Sequence, residues 1–497
     1  MSAAGRMSAS LARFRDRVGE AFKDPDDLDL TSGGIAWPLF YLSLPIVVTN
    51  LLQTAYNLAD TFWVGRYSTA ALTAITFSFP LVFMMFATAM GLAIAGSVLV
   101  AQNVGSGDER QASFAASQTV TFSILVSAGL GLAGYAAVEP VLAGLGASGE
   151  VLKLGADYMR IIALGMPFMF GFAVFISLMR GYGDTVTPML VMLGSVILNI
   201  AVDPFIIFGW GPFPELGITG AAIATVTSRG LAMVVGLAIM FRGSYGVQIR
   251  LREMVPDFAY WGKLLRVGVP ASVEITGRAL SVTAMLYILG QVGSFADPVI
   301  GGFGVVARVN SIIYLPAIAV SNGVETMTGQ NVGADREDRA ERTNHFAAKA
   351  LLIVLAAMGV VAFVAAEPVI GIFTDDPRVI EPGATFLRFV APTFGFIGVM
   401  RAYVGGFRGA GETMTAAGVS IVMLWLIRLP IAWYGATSIG QNGVWAAFAV
   451  SNVAGAILAV LWFRRGTWKT GEITGSVAVG GGSDEAEPAE SGAVAED

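Results

Sequence analysis

Cysteine is absent from this 497-residue chain and histidine occurs once, at His345. Without cysteine there are no disulfides, thiol nucleophiles or thiolate metal centres, and one histidine makes no metal site by itself. Charge is also scarce. Asp, Glu, Lys and Arg make up 13% of residues, while 55% are hydrophobic and mean hydropathy is +0.69. Soluble domains carry roughly 25% charged residues, so this composition cannot cover a water-facing surface and marks an integral membrane protein. A Walker-type lysine motif is missing as well, which leaves ATP hydrolysis without support. The one glycine cluster of that appearance, "GGFG" at Gly301–Gly304, lies in an apolar run with no strand before it and reads as helix packing or a hinge.

What fills the chain is apolar sequence in runs of 20 or more residues. Strands crossing a bilayer need only about 10 residues of alternating polarity, so these unalternating runs are helices. Twelve are predicted, at 36–64, 70–101, 112–138, 154–180, 186–209, 217–242, 260–290, 300–329, 338–366, 378–405, 413–435 and 442–464. Breaks fall at turn chemistry such as "GSGDER", "GWGPFPELG" and "GADREDR".

The chain also repeats itself. "QNVG" at Gln102–Gly105 recurs at Gln330–Gly333, and "RGYGDT" at Arg180–Thr185 recurs as "RGAGET" at Arg408–Thr413, each 228 residues on. Glu139 matches Glu367 and Arg160 matches Arg388 at the same offset. A repeat this long is a duplicated domain, and six helices per copy give both copies one orientation. The expected division is a segment 1–34, a first lobe 35–243, a linker 244–259, a second lobe 260–466 and a tail 467–497.

Lys and Arg set the topology. Arg13, Arg15, Lys23, Arg250, Arg252, Lys263, Arg336, Arg339, Arg464 and Arg465 fall on one side, and little beyond Arg66, Lys153 and Arg378 on the other, so both termini are expected in the cytoplasm. The first span itself would act as the targeting signal. Residues 11–22 serve either as a solvated topology signal or as a surface helix on anionic lipid. The Gly-, Ser- and acid-rich tail from Gly471 is expected to be disordered. It supplies much of the net charge of −6 and the pI near 5.1, which give no argument for a nucleic-acid partner.

An ionisable side chain at the centre of a bilayer costs about 3 kcal/mol or more unless paired, protonated or ion-bound. Asp60 near the end of the first helix and Asp203 near the end of the fifth have no basic residue three or four positions away. Both are expected at similar depth, facing one cavity. Asn199 lies one turn before Asp203, Thr225 enters the sixth helix from the same side, and Pro204 frees a backbone carbonyl. Together they form an oxygen-rich set suited to a proton or a hard cation such as Na+; the alternative is a polar network that only fastens helices. Glu274 has Arg278 four residues on, the spacing of a structural or gating ion pair, with substrate contact as the alternative. Glu325 is placed close enough to headgroups to snorkel or cap, with gating as its functional reading. Arg229, Arg308, Arg401 and Arg428 are each read first as pairing with helix carbonyls or with Glu274 and Glu325; Arg428, just before Leu429 and Pro430, is the one best placed to line a cavity or gate instead.

The opening "LPIVVTNLLQTAYNLADTFWVG", the doubled "QNVG" and the doubled "RGxG" strings within a twelve-helix frame resemble the multidrug and toxic compound extrusion (MATE) family over residues 35–466. That resemblance implies an all-α protein of two six-helix lobes in a V. It further implies export of cationic, amphipathic organic compounds across the cell membrane against Na+ or H+, by a protein that needs no cofactor and acts as a monomer. In one prokaryotic branch the coupling site uses an Asp on the first helix, an Asn and an Asp one turn apart on the fifth and a Thr on the sixth. Asp60, Asn199, Asp203 and Thr225 fit those places. Rival readings are a lipid-linked oligosaccharide or polyprenyl flippase, which would need a large basic groove, and a membrane enzyme or receptor, for which no nucleophile, metal cluster or signalling domain is visible. The repeat loops are expected to act as glycine hinges.

Overall fold

The computed structural model describes residues 29–470 apart from positions 244, 294 and 296. The surface helix considered over 11–22 and the tail from Gly471 lie outside the described residues. All regular structure among the described residues is helical, and it forms twelve spans when the bent pair of α4 is taken as one. These are α1 (Ala36–Tyr67), α2 (Thr69–Gly105), α3 (Glu109–Gly144), α4 (Gly149–Leu164 and Met166–Tyr182), α5 (Val186–Phe208), α6 (Gly217–Arg242), α7 (Phe258–Gly290), α8 (Asp297–Gly333), α9 (Glu337–Val364), α10 (Pro377–Gly409), α11 (Thr413–Ser438) and α12 (Gln441–Arg464).

Two kinds of residue shape the spans. Side-chain caps start them: Ser68, Asp108 and Asp257 accept the backbone N–H of Ala71, Gln111 and Tyr260. Prolines bend them. α4 turns by 53° at Gly165, just before Pro167, and α10 passes through a short 3-10 turn at Ala391–Thr393 around Pro392, because proline removes a helical donor. In α11 the same deficit, ahead of Pro430, is taken up by a π-helical turn over Val422–Arg428.

Each half has its own apolar core. In the first, Leu99, Phe170, Phe175 and Leu178 are fully buried; in the second, Phe386 stacks on Trp445 at 4.1 Å and Phe463 on Trp468 at 4.6 Å. The halves meet where α2 packs on α7 and α8. At the α2–α7 crossing a Cβ on Gly91 would lie 2.5 Å from the Gly268 carbonyl oxygen, so only glycine permits the approach.

The repeat motifs, expected as hinge loops, are helix ends locked against each other. α2 and α8 are each 37 residues long, about 55 Å at 1.5 Å per residue, so they project beyond the hydrocarbon layer and carry the "QNVG" strings as regular helix. Gln102 Nε2 donates to the Gly409 carbonyl at 3.1 Å, and Gln330 Nε2 donates to the carbonyls of Gly181 at 3.2 Å and Tyr182 at 2.8 Å. Each half thus grips the arginine-glycine motif of the other. A Cβ on Gly105 would fall 1.9 Å from the Gln330 oxygen, and one on Gly333 1.9 Å from the Gln102 oxygen.

A strap also joins the halves ahead of α1. Leu30 is buried in the second half's core, with Leu39 and Leu42 of α1. Arg339 of α9 gathers three strap carbonyls, Leu30 at 3.3 Å, Gly33 at 2.7 Å and Gly34 at 3.2 Å, and Asn331 Nδ2 donates to Leu30 as well. Charged hydrogen bonds contribute about 1.5–3 kcal/mol each, so Arg339→Ala is expected to lower the melting temperature of the detergent-solubilised protein by several degrees, with Arg339→Lys between the two. An unchanged melting curve in the alanine variant would remove the strap from the list of stabilising contacts. Asp29 closes the strap's turn. The Ser32 hydroxyl above all, helped by the Thr31 hydroxyl and both residues' N–H groups, lowers its carboxyl from 3.8 to about 2. Because the folded value is the lower one, this contribution is complete above about pH 5 and is lost only as pH falls towards 2, leaving the strap insensitive to physiological pH.

Candidate functional site

α1, α5 and α6 pack together in the first half and bring the expected acids to one place. Asp60 sits seven residues before the end of α1, and Asp203 five before the end of α5. The two carboxylates lie within electrostatic reach of each other, and the hydroxyls of Tyr56 and Tyr158 feel both. Asn199 Nδ2 donates to Asp203 Oδ1 at 3.1 Å, as the one-turn spacing required. Three acceptor oxygens remain buried without a hydrogen-bond donor: Asp60 Oδ1, Asn199 Oδ1 and Asp203 Oδ2. Buried acceptors are normally satisfied, and a group of them left open is what a proton or a hard, oxygen-seeking cation completes.

Thr225 is one bond further out. Its hydroxyl accepts from Tyr56 at 2.7 Å, and the Tyr56 ring lies beneath the Arg229 guanidinium at 4.5 Å. Arg229 in turn donates to Gln53 Oε1 at 2.7 Å, so it is held by a glutamine and an aromatic face rather than by Glu274 or Glu325. Tyr56, Tyr158 and Gln53 escape a sequence search because neutral residues on apolar helices carry no signal of their own. Tyr56 stands one turn before Asp60, and that spacing is the only clue available.

Among the acids of the second half, Glu274 does pair with Arg278, at 3.2 Å, but a stronger partner comes from far away: Arg408 of the repeat motif at 2.7 Å. The Ser420 hydroxyl donates to the same carboxylate at 3.0 Å, so both oxygens are engaged and the glutamate is 1% exposed. This is a structural ion pair in the present conformation. Glu325 does not snorkel. It is equally buried and faces Arg180 of the other half at 3.5 Å, because the close crossing of α8 and α4 seals it from solvent. Arg428 is also buried, its guanidinium bonded to Ser451 and Asn452 of α12, each at 2.8 Å. Arg401 stacks on Tyr314 at 5.6 Å, and Arg308 is exposed, so none of these three reaches an acid among the described residues.

Two like six-helix halves, crossed at one end and holding unsatisfied carboxylates within the bundle, define a multi-pass membrane transporter. More narrowly, the chain belongs to the MatE family, whose model matches residues 45–205 and again 270–434. It is 29% identical over 445 residues to the probable multidrug resistance protein YpnP of Bacillus subtilis, covering 89% of this chain and 97% of that one. Over 431 residues it is 27% identical to the FAD transporter of Shewanella oneidensis, covering 85% and 93%. The probable multidrug resistance protein NorM of Thermotoga maritima is likewise 27% identical, over 87% and 92%. The fold is that of a MATE crystal structure in the bent conformation, with TM-score 0.83, 24% identity and coverage of 89% and 98%.

Proposed function

We propose that the protein is a secondary antiporter of the cell membrane that exports multiple cationic, amphipathic compounds in exchange for Na+ or H+, with Asp60, Asn199 and Asp203 as the coupling site and Thr225 supporting it through Tyr56. The three orphaned oxygens carry this reading. With the site empty of cation, two carboxylates hold a cationic substrate; loading one neutralises that attraction and lets α1 repack. α1 is suited to pass the change on. Asp60 lies in the first half, Leu39 and Leu42 pack in the second, and Pro45 interrupts the helix between them. Both termini would face the cytoplasm, with the crossed motifs closing that side, and residues 35–243 and 260–466 would rock as two lobes about the linker 244–259. Relatives named for multidrug resistance favour export of more than one compound.

The test is uptake of a fluorescent organic cation into proteoliposomes with Na+ and pH gradients imposed separately. One gradient is expected to drive transport against the dye's own gradient; indifference to both would remove the antiport mechanism.

A further inference from the structure

We infer that the second half carries a subsite for an anionic group, carboxylate or phosphate, on an amphipathic substrate, formed by Arg401 and Arg428 around Tyr314. The inference rests on the exporter reading above and deepens it, naming what the second half recognises while the first holds positive charge.

Arg428 and Arg401 are 9% and 7% exposed, and no carboxylate among the described residues lies within ion-pair distance of either. Glu274, one of the two acids expected from sequence to pair with these arginines, is saturated by Arg278, Arg408 and Ser420. The partners of Arg428 are all neutral: Ser451, Asn452, the Tyr314 hydroxyl and the Phe448 ring at 4.4 Å. Asn452 is itself fixed by donating to Thr393 at 2.9 Å, so the guanidinium is aimed by a rigid frame. Arg401 is less complete still. Its Nε is buried with no acceptor. A buried guanidinium without a counter-charge is costly, and one with an unfilled donor more so, unless an anion arrives to complete it. Arginine's planar fork matches carboxylate and phosphate oxygens in particular.

Two further features place a ligand there. Arg428 ends the π-helical turn of α11, a departure from regular helix that re-aims a side chain. One and two turns earlier on α11, Trp425 and Ile421 face Val273, Thr276 and Leu280 of α7 across a shallow, almost wholly apolar groove, and the Trp425 indole is fixed by donating to the Gly277 carbonyl at 2.9 Å. An apolar groove on the helix that carries Arg428, together with two uncompensated guanidiniums in the same half, suits a molecule with a hydrophobic body and an anionic end. Aligning Pro204 with Pro430 puts Leu429 opposite Asp203, so Arg428 stands one residue from the place that the first half fills with a carboxylate. Zwitterions and organic anions should therefore be handled as well as simple cations.

Rhodamine B and its ethyl ester form a matched probe pair, since both carry the same cationic ring system and only the acid carries a carboxylate. Binding is measured by fluorescence anisotropy on the full-length protein in nanodiscs of zwitterionic lipid. The acid is expected to bind roughly tenfold tighter than the ester, about 1.4 kcal/mol. Arg401→Gln should erase that preference while leaving ester affinity unchanged, which also reports that the variant is folded; Arg428→Lys, which keeps charge but not the fork, should weaken only the acid. Equal binding of acid and ester, or a preference that survives Arg401→Gln, overturns the subsite. Loss of the acid's preference when one third of the lipid is phosphatidylglycerol would assign the arginines to a lipid phosphate and overturn their role in substrate recognition. Export of the ester is followed in parallel. Its failure would strike the exporter reading alone, because the binding preference is read without transport.

Discussion

Asp203→Asn should reduce gradient-driven efflux by roughly a hundredfold or more, a loss of at least about 2.7 kcal/mol of coupling, while the protein stays folded in the membrane. The replacement is nearly isosteric and keeps the oxygen that accepts from Asn199 at 3.1 Å. It puts an amide where the orphaned Oδ2 was, so it removes the charge and supplies a donor in a place that has too many acceptors. Fold stability therefore has no reason to fall, which the melting curve of the purified variant checks. Transport has every reason to fall, because the site no longer alternates between a charged and a neutralised state. Efflux of the fluorescent cation at the native rate in this variant would dismiss the first-half coupling site.

Placing a methyl group on both Gly105 and Gly333 should open the crossed end. Each new Cβ would lie 1.9 Å from a backbone oxygen of the opposite motif, far inside contact distance, and relief needs a helix to shift because the clashing atom is main chain. Overpacking costs about 1–3 kcal/mol per site, so the double substitution should shift the population away from this conformation by about a hundredfold. The native chain contains no cysteine, so Ser106→Cys and Ala334→Cys introduce the only thiols and accept spin labels cleanly. Electron–electron distance measurement should give one narrow separation in the parent and a longer, broader one with the added methyls, together with slowed efflux. A short, narrow separation that persists would mean that the clamp of Gln102 and Gln330 does not hold the halves together.

The sequence was most legible where a property is a local sum. Hydropathy over 20 residues found every span, since the cost of exposing backbone or charge to lipid is paid residue by residue along one helix. The bend of α4 and the π turn of α11 were less visible because proline only removes a bond, and the neighbours decide how the chain absorbs it. Among the site residues, Asn199 and Asp203 were readable as a pair because they share a helix face. Thr225 was readable by residue type and approximate depth, yet its link to the site through Tyr56 was not.

By itself, the sequence determined a membrane protein of twelve helices, doubled at a spacing of 228 residues, with Asp60 and Asp203 in one copy and no aspartate at the aligned places of the other. Tertiary structure alone decided the rest: that Glu274 is neutralised by Arg408, that Glu325 meets Arg180 across the halves, that Gly105 and Gly333 are points of close contact between the motifs, and that Arg401 and Arg428 meet no acid among the described residues. The physical reason is range. Hydrophobic periodicity and i, i+4 neighbours act within a helix, whereas ion pairing, orphaned acceptors and Cβ clearance depend on which helices stand side by side, and residues 134 and 145 positions apart can meet only once the bundle has closed.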